Sequence, residues 1–150
     1  MWFSRKQVAK APPAQADAGQ GTALQITTKR RGDAAEALAL DHLLQAGLKR
    51  IDSNYRTPGR GGGEIDLVMC APDGTLVFVE VRQRSSASHG GAGASISAIK
   101  QRRIIFAARH YLMRFASPPP CRFDVVLVQG ALLPDGATRI EWLQAAFDAS

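Results

Sequence analysis

The chain has 150 residues, 45% of them hydrophobic and 21% charged, which is enough for one globular domain and too little for two full cores. No apolar run approaches the ~20 residues that cross a bilayer, and Met1-Trp2-Phe3-Ser4-Arg5-Lys6 lacks the apolar stretch of a secretory signal. Cys70 and Cys121 are too few for a disulfide scaffold or a four-cysteine zinc site, so a cytoplasmic protein with metal-poor or oxygen-ligated chemistry is expected. The formal net charge of +6 is unevenly placed. Residues 1–31 carry six Lys or Arg against Asp17 alone, and residues 81–123 hold eight Lys or Arg and no Asp or Glu. An anionic partner is expected, nucleic acid first, with a solvated basic face as the plain alternative.

Residues 1–28 read as a disordered basic leader, and 29–150 as the folded, nucleic-acid-binding domain. An Ala- and Leu-rich helix is expected over 33–46, stopped by Gly47. Projected at about 100° per residue, Ala39, Leu40 and Leu43 form its apolar stripe, and Glu36 lies in the middle of it. A carboxylate aimed at a core must be paired, hydrogen-bonded or bound to a cation. A short strand from Leu48 to Tyr55 and the loose Pro58-Gly59-Arg60-Gly61-Gly62-Gly63 follow. Tyr55 and Arg56, beside this glycine-rich loop, are candidates for substrate contact.

Two strong strands come next, Glu64–Cys70 and Thr75–Arg82, around the turn Pro72-Asp73-Gly74. With Gly74 in the left-handed position of a three-residue hairpin loop, residue 71 pairs with 75, 66 lies opposite 80, and 64 opposite 82. One face then carries Glu64, Asp66, Val68, Phe78, Glu80 and Arg82. The other carries Ile65, Leu67, Met69, Val77, Val79 and Val81, all apolar. Residues 83–98, rich in Gly and Ser, read as a long loop of functional length.

A second helix is expected from Ser97, a good N-cap, to Arg114. Its apolar stripe is Ile104, Ala108, Tyr111, Leu112 and Phe115, and Lys100, Arg103, His110 and Arg114 gather on another face. Pro118-Pro119-Pro120 ends it. Residues 122–129 read as a buried strand, in which Asp124 is expected to serve a structural hydrogen bond or ion pair, and Arg139–Leu143 as a last, shorter strand. The order αβββαββ fits an α/β fold, a mixed sheet with flanking helices.

The hairpin concentrates the chemistry. Glu64, Asp66 and Glu80 crowd one end of one face beside Arg82, and neighbouring acids repel unless something positive sits among them. Hard divalent cations prefer such oxygens, and Mg²⁺ typically takes one or two carboxylates together with substrate phosphate. Such an ion polarises a phosphoryl group and makes hydroxide from its bound water. Arg82 would stabilise charge on a pentavalent phosphate and cannot act as a base, because its pKa exceeds ~12. The competing account is an exposed sheet face with a cross-strand Glu64–Arg82 pair. It explains less well why Asp66 sits mid-strand among apolar residues.

Gly63-Glu64-Ile65-Asp66-Leu67-Val68 and Val77-Phe78-Val79-Glu80-Val81-Arg82 closely resemble the YraN-like family of small bacterial proteins. The same resemblance runs through Gly32-Asp33-Ala34-Ala35-Glu36, Asn54-Tyr55-Arg56, Lys100-Gln101-Arg102-Arg103, Arg122-Phe123-Asp124-Val125-Val126 and Ala146-Phe147. It implies a branch of the restriction-endonuclease-like fold, related to Holliday-junction resolvases, with a Mg²⁺- or Mn²⁺-dependent nuclease site. Asp66 and Glu80 would be its catalytic acids and metal ligands, with Glu36 and the backbone carbonyl of Val81 completing the metal shell. Arg82 stands where the motif has lysine.

Three functions therefore remain open: a metal-dependent endonuclease on DNA or structured nucleic acid, a catalytically silent nucleic-acid-binding module of the same fold, and a protein-interaction module without nucleic acid. Arg56, Arg84, Lys100, Arg102 and Arg103, with Tyr55, are the candidate nucleic-acid contacts, DNA being favoured over RNA. No membrane partner is expected, and a homodimer fits the resemblance.

Overall fold

The computed structural model describes residues 23–84, 96–129 and 138–149. The residues expected to form most of the leader, the centre of the 83–98 loop with His89, and the side chain of Arg84 lie outside that description. Gly32–Ser150 is a compact unit, and apart from the first residues of the first helix the features below belong to it.

Helix α1 runs Ala23–Gln45 and is followed by strands β1 (Lys49–Arg56), β2 (Glu64–Cys70) and β3 (Leu76–Arg84), helix α2 (Ala98–Leu112), and strands β4 (Cys121–Gln129) and β5 (Arg139–Phe147). This is the expected order. The five strands form one mixed sheet in sequence order, with β3–β4 the parallel pair and the other neighbours antiparallel.

Helix α1 begins at Ala23 rather than residue 33, so Gly32 lies within it. A mid-helix glycine costs only about 1 kcal/mol and does not by itself end a helix. The stop at Gly47 does form. Gly47, at φ 101°, donates to the Leu44 carbonyl and Leu48 donates to that of Leu43, the paired bonds that close a helix on a left-handed residue. Ala35, Ala39 and Leu43 pack from α1 onto Leu67, Met69, Val77, Val79, Val126 and Val128, on one face of the sheet. Leu40, expected in the stripe, is only partly buried against this cluster, and Ala35 takes its place.

Helix α2 covers the other face. Ile104, Ala107, Ala108 and Tyr111 pack on Val68, Leu76, Phe78 and Phe123, and Leu112 and Phe115 sit at the margin. The Ser97 side chain accepts from the Lys100 N–H at 3.1 Å, capping the helix as its sequence implies. The hairpin face that the competing account left exposed is thus covered by a helix.

Strand β5 reaches Phe147 instead of stopping at Leu143. Its far end depends on Asp124, whose fully buried carboxylate accepts from Arg122 Nε at 3.0 Å, Trp142 Nε1 at 2.8 Å and the Ala145 N–H at 2.9 Å. Ala145 adopts φ 50° beside a register shift between Phe123 and Val125, which turns its N–H toward the carboxylate. The structural role expected for Asp124 is the one it has. Asp124→Ala strands three donors, one of them charged, and is expected to destabilise the fold by about 3–5 kcal/mol in urea unfolding.

Candidate functional site

The hairpin turn sets the register as anticipated. Ala71 donates to the Thr75 carbonyl at 2.9 Å, Gly74 sits at φ 93°, and the ladder pairs Cys70 with Leu76, Met69 with Val77, Val68 with Phe78 and Leu67 with Val79. The pairing then stops. Continued by one more hydrogen-bonded pair, the ladder would give the Val81 N–H to Ile65. It goes instead to Asp66 Oδ2 at 2.8 Å. A side-chain carboxylate has displaced a backbone carbonyl, and β2 and β3 part at that point.

Three expectations change here. Ile65 does not share the Leu67 and Met69 face but packs in the α2 cluster, because the alternation is broken at Asp66. Residues 64 and 82 are not ladder partners. Glu64 lies opposite Arg56 of β1, and their side chains meet at 3.5 Å in an exposed ion pair, replacing the Glu64–Arg82 pair.

The opposite neighbour of Asp66 is also unusual. Ser53 pairs with Leu67 and Tyr55 with Ile65, which sets Asn54 across from Asp66. Asn54 has φ 53°, a left-handed conformation that asparagine tolerates better than most residues. Its side chain hydrogen-bonds Glu36. Sequence reasoning passed over Asn54 as a functional residue, since its only signal, the left-handed preference, has meaning once the register is known.

Glu80 is 7% exposed and hydrogen-bonded to Asp66. Burial first, then the Asp66 charge, pushes its pKa up to about 7, against the opposing pull of Lys100. Burial also raises Asp66, which the Val81 N–H and the Glu80 hydrogen bond partly offset. Burial and mutual repulsion thus oppose the ionisation of both carboxyls at once. Glu36, half-buried, is raised by burial and then by the Asp66 and Asp33 charges. The Lys100 Nζ lies 3.4 Å from Glu80 Oε2.

The structure therefore brings Asp66, Glu80 and Lys100 into contact and sets Glu36 at electrostatic range of Asp66. Among the described residues, no group of three or more His, Cys, Asp or Glu side chains is gathered tightly enough to hold a metal ion. The two-carboxylate set Asp66 and Glu80 does suit a hard cation that completes its shell with water and phosphate. In an extended strand the N–H and C=O of one residue point the same way, so the Val81 carbonyl faces the gap that Asp66 opens. Register and alternation put Arg82 on the Glu80 face of β3, opposite Leu127 of β4.

Beside the acids lies a cleft of about 410 Å³ lined by Arg56, Thr57, Glu64, Lys100, Arg103 and the glycines of the 59–63 loop. Thr57 fixes that loop, accepting from the Gly63 N–H at 2.8 Å. A Cβ on Gly63 would meet the Arg103 carbonyl at 2.0 Å, so glycine here lets the loop close onto α2. Arg102 is exposed on α2, and Tyr55 is partly buried, its hydroxyl hydrogen-bonded to His110 Nδ1 and its ring edge-on to Tyr111. His110, expected to extend the basic face, is tied to Tyr55, and Arg114 stacks on the Tyr111 ring at 3.7 Å.

The model of the uncharacterised protein family UPF0102 matches residues 35–128. The chain belongs to that family. Its YraN-like resemblance is thereby supported, and the match spans every candidate site residue from Glu36 to Arg103. A UPF0102 protein of Polaromonas naphthalenivorans is 73% identical over the full length of both chains. Another, from Polaromonas sp. strain JS666, is 72% identical, also over both full lengths. A third, from Albidiferax ferrireducens, is 69% identical over 82% of this chain and 91% of its own. No helix among the described residues is long and apolar enough to cross a membrane.

Two measurements follow from the site. Glu80 has a folded pKa above its ordinary 4.5, so the native state keeps a proton that the unfolded chain releases. Its stabilising contribution is complete below pH 4.5 and is lost as pH rises through about 7. Glu80→Gln, which keeps a donor for Asp66 and cannot ionise, is expected to match wild type at pH 5. At pH 8 it should exceed wild type by roughly 1–3 kcal/mol in urea unfolding with EDTA. Parallel pH profiles for the two proteins would show that Glu80 does not hold the proton. Gly63→Ala, which drives a methyl into the α2 backbone, is expected to lower stability by about 1–3 kcal/mol in thermal unfolding.

Proposed function

We propose that this protein is a divalent-metal-dependent endonuclease of restriction-endonuclease-like fold, hydrolysing phosphodiester bonds in DNA or structured nucleic acid. The observation that carries this reading is the buried Glu80 beside the part-buried Asp66 at the point where β2 and β3 separate, next to a cleft lined by Arg56, Lys100 and Arg103. Two neighbouring acids that resist ionising together are short of positive charge, and a hard cation supplies it.

Asp66 and Glu80 would hold Mg²⁺ or Mn²⁺, with the Val81 carbonyl beside them, while Glu36, steadied by Asn54, stays at electrostatic range of Asp66 rather than in the shell. The ion would supply an acidified water and a polarised phosphoryl group. Arg56, Lys100 and Arg103 hold the substrate phosphates in the cleft, Arg102 extends the cationic track, and Tyr55 packs behind it. Arg82, permanently charged, stabilises the pentavalent phosphate.

A second reading is favoured by the Lys100–Glu80 ion pair. It offsets the charge of Glu80 without a metal, which suits a binding module of the same fold that does not turn over.

The test is cleavage of labelled duplex, single-stranded, flap and four-way-junction DNA in Mg²⁺, Mn²⁺ and EDTA, with Asp66→Ala in parallel. Metal-dependent products that fall at least about a hundredfold in Asp66→Ala are expected for the nuclease. Salt-sensitive binding without products would establish the silent module, and neither binding nor products would leave protein interaction as the function. In the same assay Arg103→Ala is expected to weaken binding to every substrate and to lower the slope of log affinity against log salt by about 1.

A further inference from the structure

Helix α2 has a second face that neither the core nor the cleft accounts for. Ile99, Phe106 and Met113 are 59%, 52% and 76% exposed. Steps of seven residues bring them onto one outward stripe, away from the buried Ile104, Ala107, Ala108 and Tyr111. Such a stripe, rimmed by charge, is a candidate contact surface.

Its charge decides what the contact is. Arg102, four residues before Phe106, and Arg109, three after, are its neighbours on the helix surface, and both are exposed. No Asp or Glu occurs between residues 81 and 123 to neutralise them. A second copy of this chain laid on the stripe would set Arg102 and Arg109 against their own counterparts. An anionic partner with flat apolar faces meets both the ring and the guanidinium groups. In a duplex the base faces are stacked on one another and out of reach, whereas a single strand presents a base to the ring and phosphates to the arginines.

We infer that the outward face of α2 binds single-stranded nucleic acid, with Phe106 as the ring on which a base stacks and Arg102 and Arg109 on the flanking phosphates. The inference rests on the nucleic-acid reading above and names its substrate class as single-stranded or splayed. Arg103, on the same helix three residues before Phe106, lines the cleft and joins this platform to the acidic pair.

The test uses the full chain in EDTA, so that cleavage plays no part. A single-stranded oligonucleotide carrying 2-aminopurine and the matching duplex are titrated against wild type, Phe106→Ala and Phe106→Trp. Because Phe106 is a surface residue, the variants are expected to melt like wild type. Phe106→Ala should lose about tenfold in affinity for the single strand, together with the 2-aminopurine quenching. Its duplex affinity should be unchanged, and Phe106→Trp should restore both single-strand signals.

Wild-type single-strand affinity in Phe106→Ala overturns the inference, as does equal loss for single strand and duplex. A concentration-dependent dimer in sedimentation that Phe106→Ala abolishes also overturns it, making the face a contact between copies. The nuclease reading is judged separately, since metal-dependent cleavage lost in Asp66→Ala stands whatever Phe106→Ala does. Wild-type protein that binds no nucleic acid at low salt overturns both.

Discussion

The arrangement of the site depends on one hydrogen bond, from the Val81 N–H to Asp66 Oδ2 at 2.8 Å. A backbone donor inside a sheet must find an acceptor, and it ordinarily finds the facing strand. When a carboxylate from β2 takes that donor, the strand pair no longer needs to stay closed. The ladder ends at Leu67–Val79, Ile65 turns to the opposite face, and Glu80 meets Asp66 across the opening. The same bond lowers the energy of the charged Asp66, partly offsetting the rise that burial gives it.

The opening is reached from both faces of the sheet. Glu36 approaches from α1, anchored by Ala35 and Ala39 on either side of it and oriented by Asn54. Lys100 approaches from the first turn of α2, where the Ser97 cap fixes the start of the helix. The two apolar clusters, one under each helix, are therefore what fixes the distance between an acid from one layer and a cation from the other.

Much of this was legible in the sequence because it is local. The hairpin register follows from Gly74, and the ends of the helices follow from Gly47 and Ser97. Asp66 and Glu80 fall opposite each other by counting from the turn. What escaped is what a side chain does to a backbone. Strict alternation put Ile65 beside Leu67, and nothing short of the Asp66–Val81 bond shows that it crosses over. Asp66 amid apolar residues was the available signal, since aspartate competes for backbone donors wherever it sits. The end of β5 was hidden for a similar reason, because the bend at Ala145 is held by Asp124, some twenty residues away. Asn54 and Glu36 needed the β1–β2 register before their pairing meant anything.

On the proposed reading, Lys100 explains why metal and nucleic acid belong together at this site. Its ammonium lies 3.4 Å from Glu80 and also lines the cleft. An ionised Glu80 and a phosphate in the cleft draw on the same cation, so each weakens the hold on the other while Lys100 is shared. A divalent ion at Asp66 and Glu80 would remove the competition by taking over the neutralisation of Glu80 and leaving Lys100 to the phosphate. Binding of the ion and binding of the strand then favour each other, and by linkage each raises the affinity for the other by the same factor. Without the ion, Lys100 would stay with Glu80, and on this reading the cleft would hold phosphate through Arg56 and Arg103 alone.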